Sequence, residues 1–230
     1  MLQTIRVQEK LLGKNDELAA RNRERLDAAG VFVVSLCGSP GGGKTSLLER
    51  VVPMLGQDLR IAVIEGDVET DRDGQRIAAL DVPVTQLVTG GTCHLDAQMI
   101  SRALDQLPVA LAELDVLFIE NVGNLVCPAS YALGENVRVV VLSLTEGEDK
   151  PLKYPAMFRK TDGLVINKLD LAPYLRVNLQ EMEAAAHTVQ PGLAVFRVSC
   201  FTDQGIAPWI AWLKEGRECW QQQQSSNACD

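Results

Sequence analysis

Short apolar runs alternate with amphipathic segments along most of the chain. The runs stand at 31–36, 60–65, 116–120, 137–142, 163–167 and 194–199, and valine, leucine and isoleucine dominate them. Strands that are apolar throughout, without in–out alternation, belong to parallel sheets covered by helices on both faces. Helical patterning fills the gaps and predicts helices near 45–55, 96–107, 151–158, 177–186 and 206–215. The alternation of strands and helices predicts an α/β fold with a doubly wound, mostly parallel sheet. Upstream, residues 7–29 are polar and charged with scattered leucines, and Gly30 closes them. They read as an amphipathic helix, interrupted at Gly13, that packs on the sheet edge. Downstream, 221–230 carries the string QQQQSSN and reads as disordered. The expected organisation is an N-terminal helical extension (1–30), one globular unit (31–217) and a disordered tail (218–230).

Composition adds few constraints to this picture. Apolar residues make up 47% of the 230, enough for a sizeable core, and charged residues 23%. The net charge of −8 has the wrong sign for gripping a nucleic-acid backbone. No stretch approaches the roughly 20 apolar residues of a membrane helix, and the first ten residues, MLQTIRVQEK, lack the apolar core of a secretion signal. The expectation is a cytoplasmic protein that binds neither nucleic acid nor membrane. Cysteines at 37, 93, 127, 200, 219 and 229 are too dispersed for a disulfide scaffold and read as free thiols or metal ligands.

The chemistry begins directly after the first apolar run. Gly38, Ser39, Pro40, Gly41, Gly42, Gly43, Lys44 and Thr45 match G-x-x-x-x-G-K-[ST], with Ser46 next in line. The glycines let the backbone curl until its N–H groups converge on phosphate oxygens, and the following helix points its positive end at the same anion. Lys44 then reaches the β- and γ-phosphates, and the Thr45 hydroxyl ligates Mg²⁺. A strand before the motif and a helix after it supply the context that this mechanism requires. At the end of a later apolar run stands Asn167-Lys168-Leu169-Asp170. A carboxylate at Asp170 accepts two hydrogen bonds from guanine N1–H and its amine, neither of which adenine has, so adenine would leave a polar group unmet. Ser199 and Cys200, at the end of the last run, fit a further base-contacting loop. Hydrolysis needs a carboxylate near Mg²⁺ and a group to place water. Asp67 is the first candidate and Glu120 the second, while the Gly123 amide is positioned to sense the γ-phosphate.

A second constellation is built from soft donors. Cys93 and His94 are adjacent in TGGTCHLDA, and Cys127 lies seven residues beyond Glu120. Thiolate and imidazole suit Ni²⁺ or Zn²⁺, and three protein ligands leave a coordination position open. The spacing by itself is not diagnostic. The other histidine, His187, reads as an ordinary helical residue.

Taken together, GSPGGGKTSLLE, EGDVETDRDG, TGGTCHLDA, FIENVGNLVCPA, LTEGEDKPLKYPAMF and NKLDL give a chain that resembles the HypB-type nickel-incorporation GTPases, which help mature nickel–iron hydrogenases. The resemblance implies a P-loop GTPase that works as a nucleotide-dependent homodimer, in a group that includes urease and cobalamin chaperones. It implies an Ni²⁺ or Zn²⁺ site at Cys93, His94 and Cys127 near or across the dimer interface. It gives Asp67 to magnesium and hydrolysis, and 146–158 to dimer contacts and closure over nucleotide. Other hydrogenase maturation proteins and the hydrogenase large subunit are the implied partners. Some members also carry an N-terminal cysteine-rich or histidine-rich stretch. Here no cysteine precedes Cys37 and no histidine precedes His94, so a separate nickel store is not expected. Two other readings stay open: a metal-binding dimeric scaffold with negligible turnover, and a urease- or cobalamin-type GTPase chaperone.

Overall fold

The computed structural model describes residues 7–227. In chain order they form α1 (Val7–Ala28), β1 (Phe32–Gly38), α2 (Lys44–Leu55), β2 (Ile61–Asp67), α3 (Arg72–Ala78), β3 (Val84–Val88), α4 (Ala97–Asp105), β4 (Val116–Glu120) and β5 (Val137–Ser143). They continue as α5 (Lys150–Lys153), α6 (Pro155–Phe158), β6 (Gly163–Asn167), α7 (Leu179–Val189), β7 (Ala194–Arg197) and α8 (Ile206–Asn227). The seven strands make one parallel sheet in the order β3-β2-β4-β1-β5-β6-β7.

Alternate residues of the central strands feed opposite faces, as the pleat requires. Phe32, Val34 and Leu36 of β1 pack with Leu47, Val51 and Leu55 of α2 and Trp209 and Leu213 of α8. Val31 and Val33 turn the other way, toward Leu26 of α1 and Ile100 and Leu104 of α4. Apolar burial on both faces explains why these strands read as unbroken apolar runs. No helix among the described residues is long and apolar enough to cross a membrane.

The structure departs from the sequence expectations in five places. β3 and α3 were not anticipated, because β3 is a short, half-buried edge strand that carries Thr85 and Gln86. The helix expected over 151–158 is two short helices. Pro155 has no N–H to continue the ladder, and Tyr154 before it is pushed out of helical geometry, at φ −123° and ψ 51°. α1 runs through Gly13 without interruption. It docks on α4 and the face of the sheet rather than on an edge. Two buried asparagines fasten it: Asn22 donates to Ala97 O (2.8 Å) and Leu133 O (3.2 Å), and Asn15 accepts from Ala97 N (2.9 Å). Finally, the tail expected to be disordered is helical as far as Asn227. Trp220 buries its ring against Phe32 with centroids 5.7 Å apart, and Arg217 bonds Asp115 Oδ1 at 3.2 Å. The last residues of the expected tail, 228–230, lie outside the described residues.

β1, β2, β4 and β6 all end at the same edge of the sheet. In open parallel sheets the crevice beyond the carboxyl ends of the strands is where ligands bind.

Candidate functional site

The loop from Ser39 to Gly43 leaves β1 and turns into α2. Gly43, the residue before α2, sits at φ 96°. A side chain there would collide with the Asn167 amide, so only glycine fits. Lys44 and Thr45 are buried at the start of α2. The guanine motif braces this loop from the far side: Asn167 Nδ2 donates to Gly42 O (3.3 Å), and Lys168 Nζ donates to Gly41 O (2.7 Å). A cavity of about 380 Å³ opens over Lys44, Thr45 and Ser46, within the range of small-molecule sites. Gly123 faces it from the end of β4. A Cβ on Gly123 would lie 2.9 Å from Pro40, so the segment after β4 is pressed against the phosphate loop.

Carboxylates form the floor of the cavity. Glu65 of β2 and Glu120 of β4 are direct neighbours across the strand pair, and both are buried. Thr45 Oγ1 donates to Glu120 Oε1 at 2.8 Å. Glu120 Oε2 has no partner among the described residues. Burial pushes the Glu120 carboxyl up to about 7, against the pull of Lys44. Glu65 is pushed up to about 8, by burial first and then by Glu120 beside it, while the Gln86 amide donates to it. Asp73 of α3 completes a set whose oxygens lie within 4.8 Å of one another. A divalent cation fits this set, since it satisfies the orphaned Glu120 oxygen and offsets carboxylates crowded out of water.

Asp67, the first candidate from sequence, lines the same cavity but is not in this set. Its Oδ1 accepts from Glu69 N (3.0 Å), Thr70 N (2.6 Å) and Thr70 Oγ1 (3.1 Å). Partial burial would raise its carboxyl, but the bonds from the Thr70 and Glu69 backbone outweigh that and hold it below the usual range. Sequence reasoning missed Glu65 and Asp73. A signal was available for Glu65, which closes the apolar run 60–65 just as Glu120 closes 116–120.

Of the residues expected to read the base, Asn167, Lys168, Asp170 and Cys200 line an adjoining cavity of about 690 Å³, which shares Gly43, Ser46, Arg76 and Lys168 with the first. Ser199 Oγ donates to Asp170 Oδ1 at 2.5 Å and accepts from Phe201 N and Thr202 N. Asn167 Oδ1 accepts from Lys168 N (2.7 Å) and Cys200 N (3.2 Å), tying the two loops together. Lys168 adopts φ 64°, which turns its stem back over the phosphate loop. Burial pushes the Cys200 thiol up to about 11, so it stays protonated.

The soft donors also converge. Cys93 Sγ lies 3.1 Å from Cys127 Sγ, and a His94 ring nitrogen joins them within 4.8 Å. Asp96 caps α4 by accepting from Met99 N at 2.8 Å, which fixes Cys93 and His94 just ahead of the helix. The His94 ring lies against Tyr131 with centroids 4.1 Å apart, and its Nδ1 is buried without a partner among the described residues. Burial lowers the tendency of His94 to take a proton, the neutral form being the one that ligates. An imidazole and two thiols within this reach are the donor set that a borderline-soft ion takes. His187, on α7, is outside this cluster.

Sheet order, phosphate loop and guanine motif define a P-loop nucleotide-binding protein. The model of the CobW/HypB/UreG nucleotide-binding domain matches residues 32–197. Hydrogenase maturation factor HypB of Azotobacter vinelandii is 50% identical over 213 residues, spanning 93% of this chain and 70% of that one. The crystal structure of HypB from Helicobacter pylori in complex with nickel superposes with a TM-score of 0.85 at 38% identity, covering 89% of this chain and 95% of that one. The structure of hydrogenase maturation factor HypB from Archaeoglobus fulgidus gives 0.82 at 38% identity, covering 89% and 99%. The chain belongs to the CobW/HypB/UreG family, in its HypB branch.

Proposed function

We propose that this chain is a GTP-hydrolysing metallochaperone. It takes up nickel at Cys93, His94 and Cys127 and passes it on during maturation of nickel–iron hydrogenases in the cytoplasm. The supporting observation is that the cavity over the phosphate loop and a Cys₂His cluster lie at the two ends of one segment, Glu120–Cys127. The name of the Helicobacter pylori neighbour, a HypB in complex with nickel, supports nickel as the cargo. Other maturation proteins and the hydrogenase large subunit are the partners that this reading requires.

In this reading the amides of Gly41–Thr45 and the Lys44 ammonium hold the phosphates, while Asp170 reads the base. Thr45, Glu120 and Asp73 would hold magnesium, which when bound neutralises charge on the phosphate oxygens. Asp67, on the lip of the cavity, is the group that orients water. Glu65, kept neutral by burial, holds its proton beside Glu120.

Turnover of GTP and ATP, together with Ni²⁺ titration, tests the reading. Lys44→Ala is expected to abolish GTP turnover while leaving one equivalent of Ni²⁺ bound. Cys93→Ala is expected to lose that equivalent and keep turnover. Undiminished turnover in the first variant would sink the GTPase assignment, and undiminished nickel in the second would sink the cargo site.

A further inference from the structure

The segment that follows β4 is held from both sides, and one residue, Asn124, takes part on both. On the nucleotide side, Asn121 N donates to Leu36 O at 2.9 Å, Gly123 abuts Pro40, and the Asn124 backbone forms an antiparallel bridge with Gly38, the first residue of the phosphate loop. On the thiol side, Asn124 Nδ2 donates to Cys93 O at 3.1 Å. Its Oδ1 accepts from Val126 N at 2.9 Å, which sets the turn that presents Cys127. The backbone of Asn124 thus belongs to the phosphate loop, and its amide holds both thiol-bearing segments. Further contacts hold the flanking residues. Leu95 N donates to buried Asn121 Oδ1 at 3.0 Å, and Leu125 and Ala129 pack in the core with Cys37.

We infer that Asn124 is the positioning residue through which the state of the nucleotide sets the separation of Cys93 and Cys127, and so the affinity for nickel. This rests on the nickel-carrier reading given above. Occupants of the phosphate loop that differ at the γ-position press differently on Gly123. Gly123 cannot move without Asn124, because the two are adjacent and Asn124 is bridged to Gly38. Displacement of Asn124 pulls on the carbonyl of Cys93 and the amide of Val126 together. Linkage then requires the reverse: nickel on the thiols alters preference between nucleotides by the same factor. No ligand of either site is Asn124 itself, so its replacement leaves both donor sets complete.

The test uses the full chain and Ni²⁺ alone as the metal probe. Ni²⁺ affinity is measured with GDP and with a non-hydrolysable GTP analogue, in wild type, Asn124→Asp, Asn124→Ala and Cys93→Ala. Aspartate keeps the acceptor for Val126 N but replaces the donor to Cys93 with a repelling oxygen, so it cuts one arm of the grip alone. The wild type is expected to show a ratio of affinities of about five-fold or more, the range typical of coupled sites. In Asn124→Asp the ratio should fall to near unity. GDP affinity should stay within about two-fold of wild type, as expected for a backbone contact that the substitution retains, and the thiolate-to-nickel absorption at saturation should persist. A purely structural role would instead weaken both nucleotide states alike and keep the ratio. A wild-type ratio retained in Asn124→Asp and Asn124→Ala overturns the inference, as does a wild type with no nucleotide dependence. Nickel retained by Cys93→Ala would instead overturn the nickel-carrier reading on which the inference rests.

Discussion

At the scale of single residues, the proposed GTPase reading assigns guanine selectivity to Asp170. Its carboxylate is aimed by Ser199, which is itself fixed by two backbone amides. Asp170→Asn should therefore leave the wall in place and change only its chemistry. Replacing one acceptor by an N–H donor removes a hydrogen bond to a charged group, worth about 1.5–3 kcal/mol, or roughly 10- to 100-fold in affinity. Competition binding of GDP against ADP should show guanine preference falling by that factor, with ADP affinity unchanged. An unaltered GDP/ADP ratio would remove Asp170 from the role. Residues of this kind are legible in sequence because contiguous motifs are folded by their own turn. The carboxylate floor is different. Glu65, Asp73 and Glu120 come from three elements, and their meeting depends on strand register that no local spacing encodes. Asp67 is the first choice from sequence because it follows the apolar run IAVIEG, and in the fold it lines the nucleotide cavity. Its turn with Glu69 and Thr70 could only be seen once the chain was folded.

At the scale of elements, the pairing of β2 with β4 sets two buried glutamates side by side, an arrangement that works against the sheet when both are charged. The consequence depends on pH. Glu65 ionises freely in the unfolded chain near its ordinary value but is held to about 8 in the fold. Between those values the folded state binds more protons than the unfolded one, so stability is full at low pH and is lost as pH rises. Metal-free protein should melt progressively lower from about pH 5 to about pH 8 relative to the Glu65→Gln variant, the window set by the ordinary and shifted carboxyl values. A melting difference between the two proteins that does not vary with pH would show that Glu65 is not held neutral. Element boundaries in this fold follow a related logic. The central strands announced themselves because both their faces are buried. β3, at the edge with polar residues, did not, and α8 was cut short because its glutamine-rich end hid the anchoring value of Trp220.

At the scale of the whole molecule, two surface features point toward a second copy of the chain. Cys93, His94 and Cys127 supply three donors, one short of a closed tetrahedral shell, and Cys93 is exposed. Val88 and Val126 are large apolar side chains, more than half exposed, at the ends of the two segments that carry the thiols, and Leu152 is equally exposed on α5. Exposed apolar side chains such as these are better buried than hydrated. A homodimer closed by nucleotide would cover them and place further donors beside the metal. Sedimentation of the 25.1 kDa chain should therefore give one copy with GDP and two with a GTP analogue and magnesium. Leu152→Asp should weaken the pairing, because a charge would have to leave water when the second copy docks. It should leave nucleotide affinity of the single copy intact, since Leu152 lines neither nucleotide cavity. A sedimentation mass of one copy in every nucleotide state, across the micromolar range, would mean that the chain carries its cargo as a monomer. The open coordination position would then be filled by water or by the recipient protein.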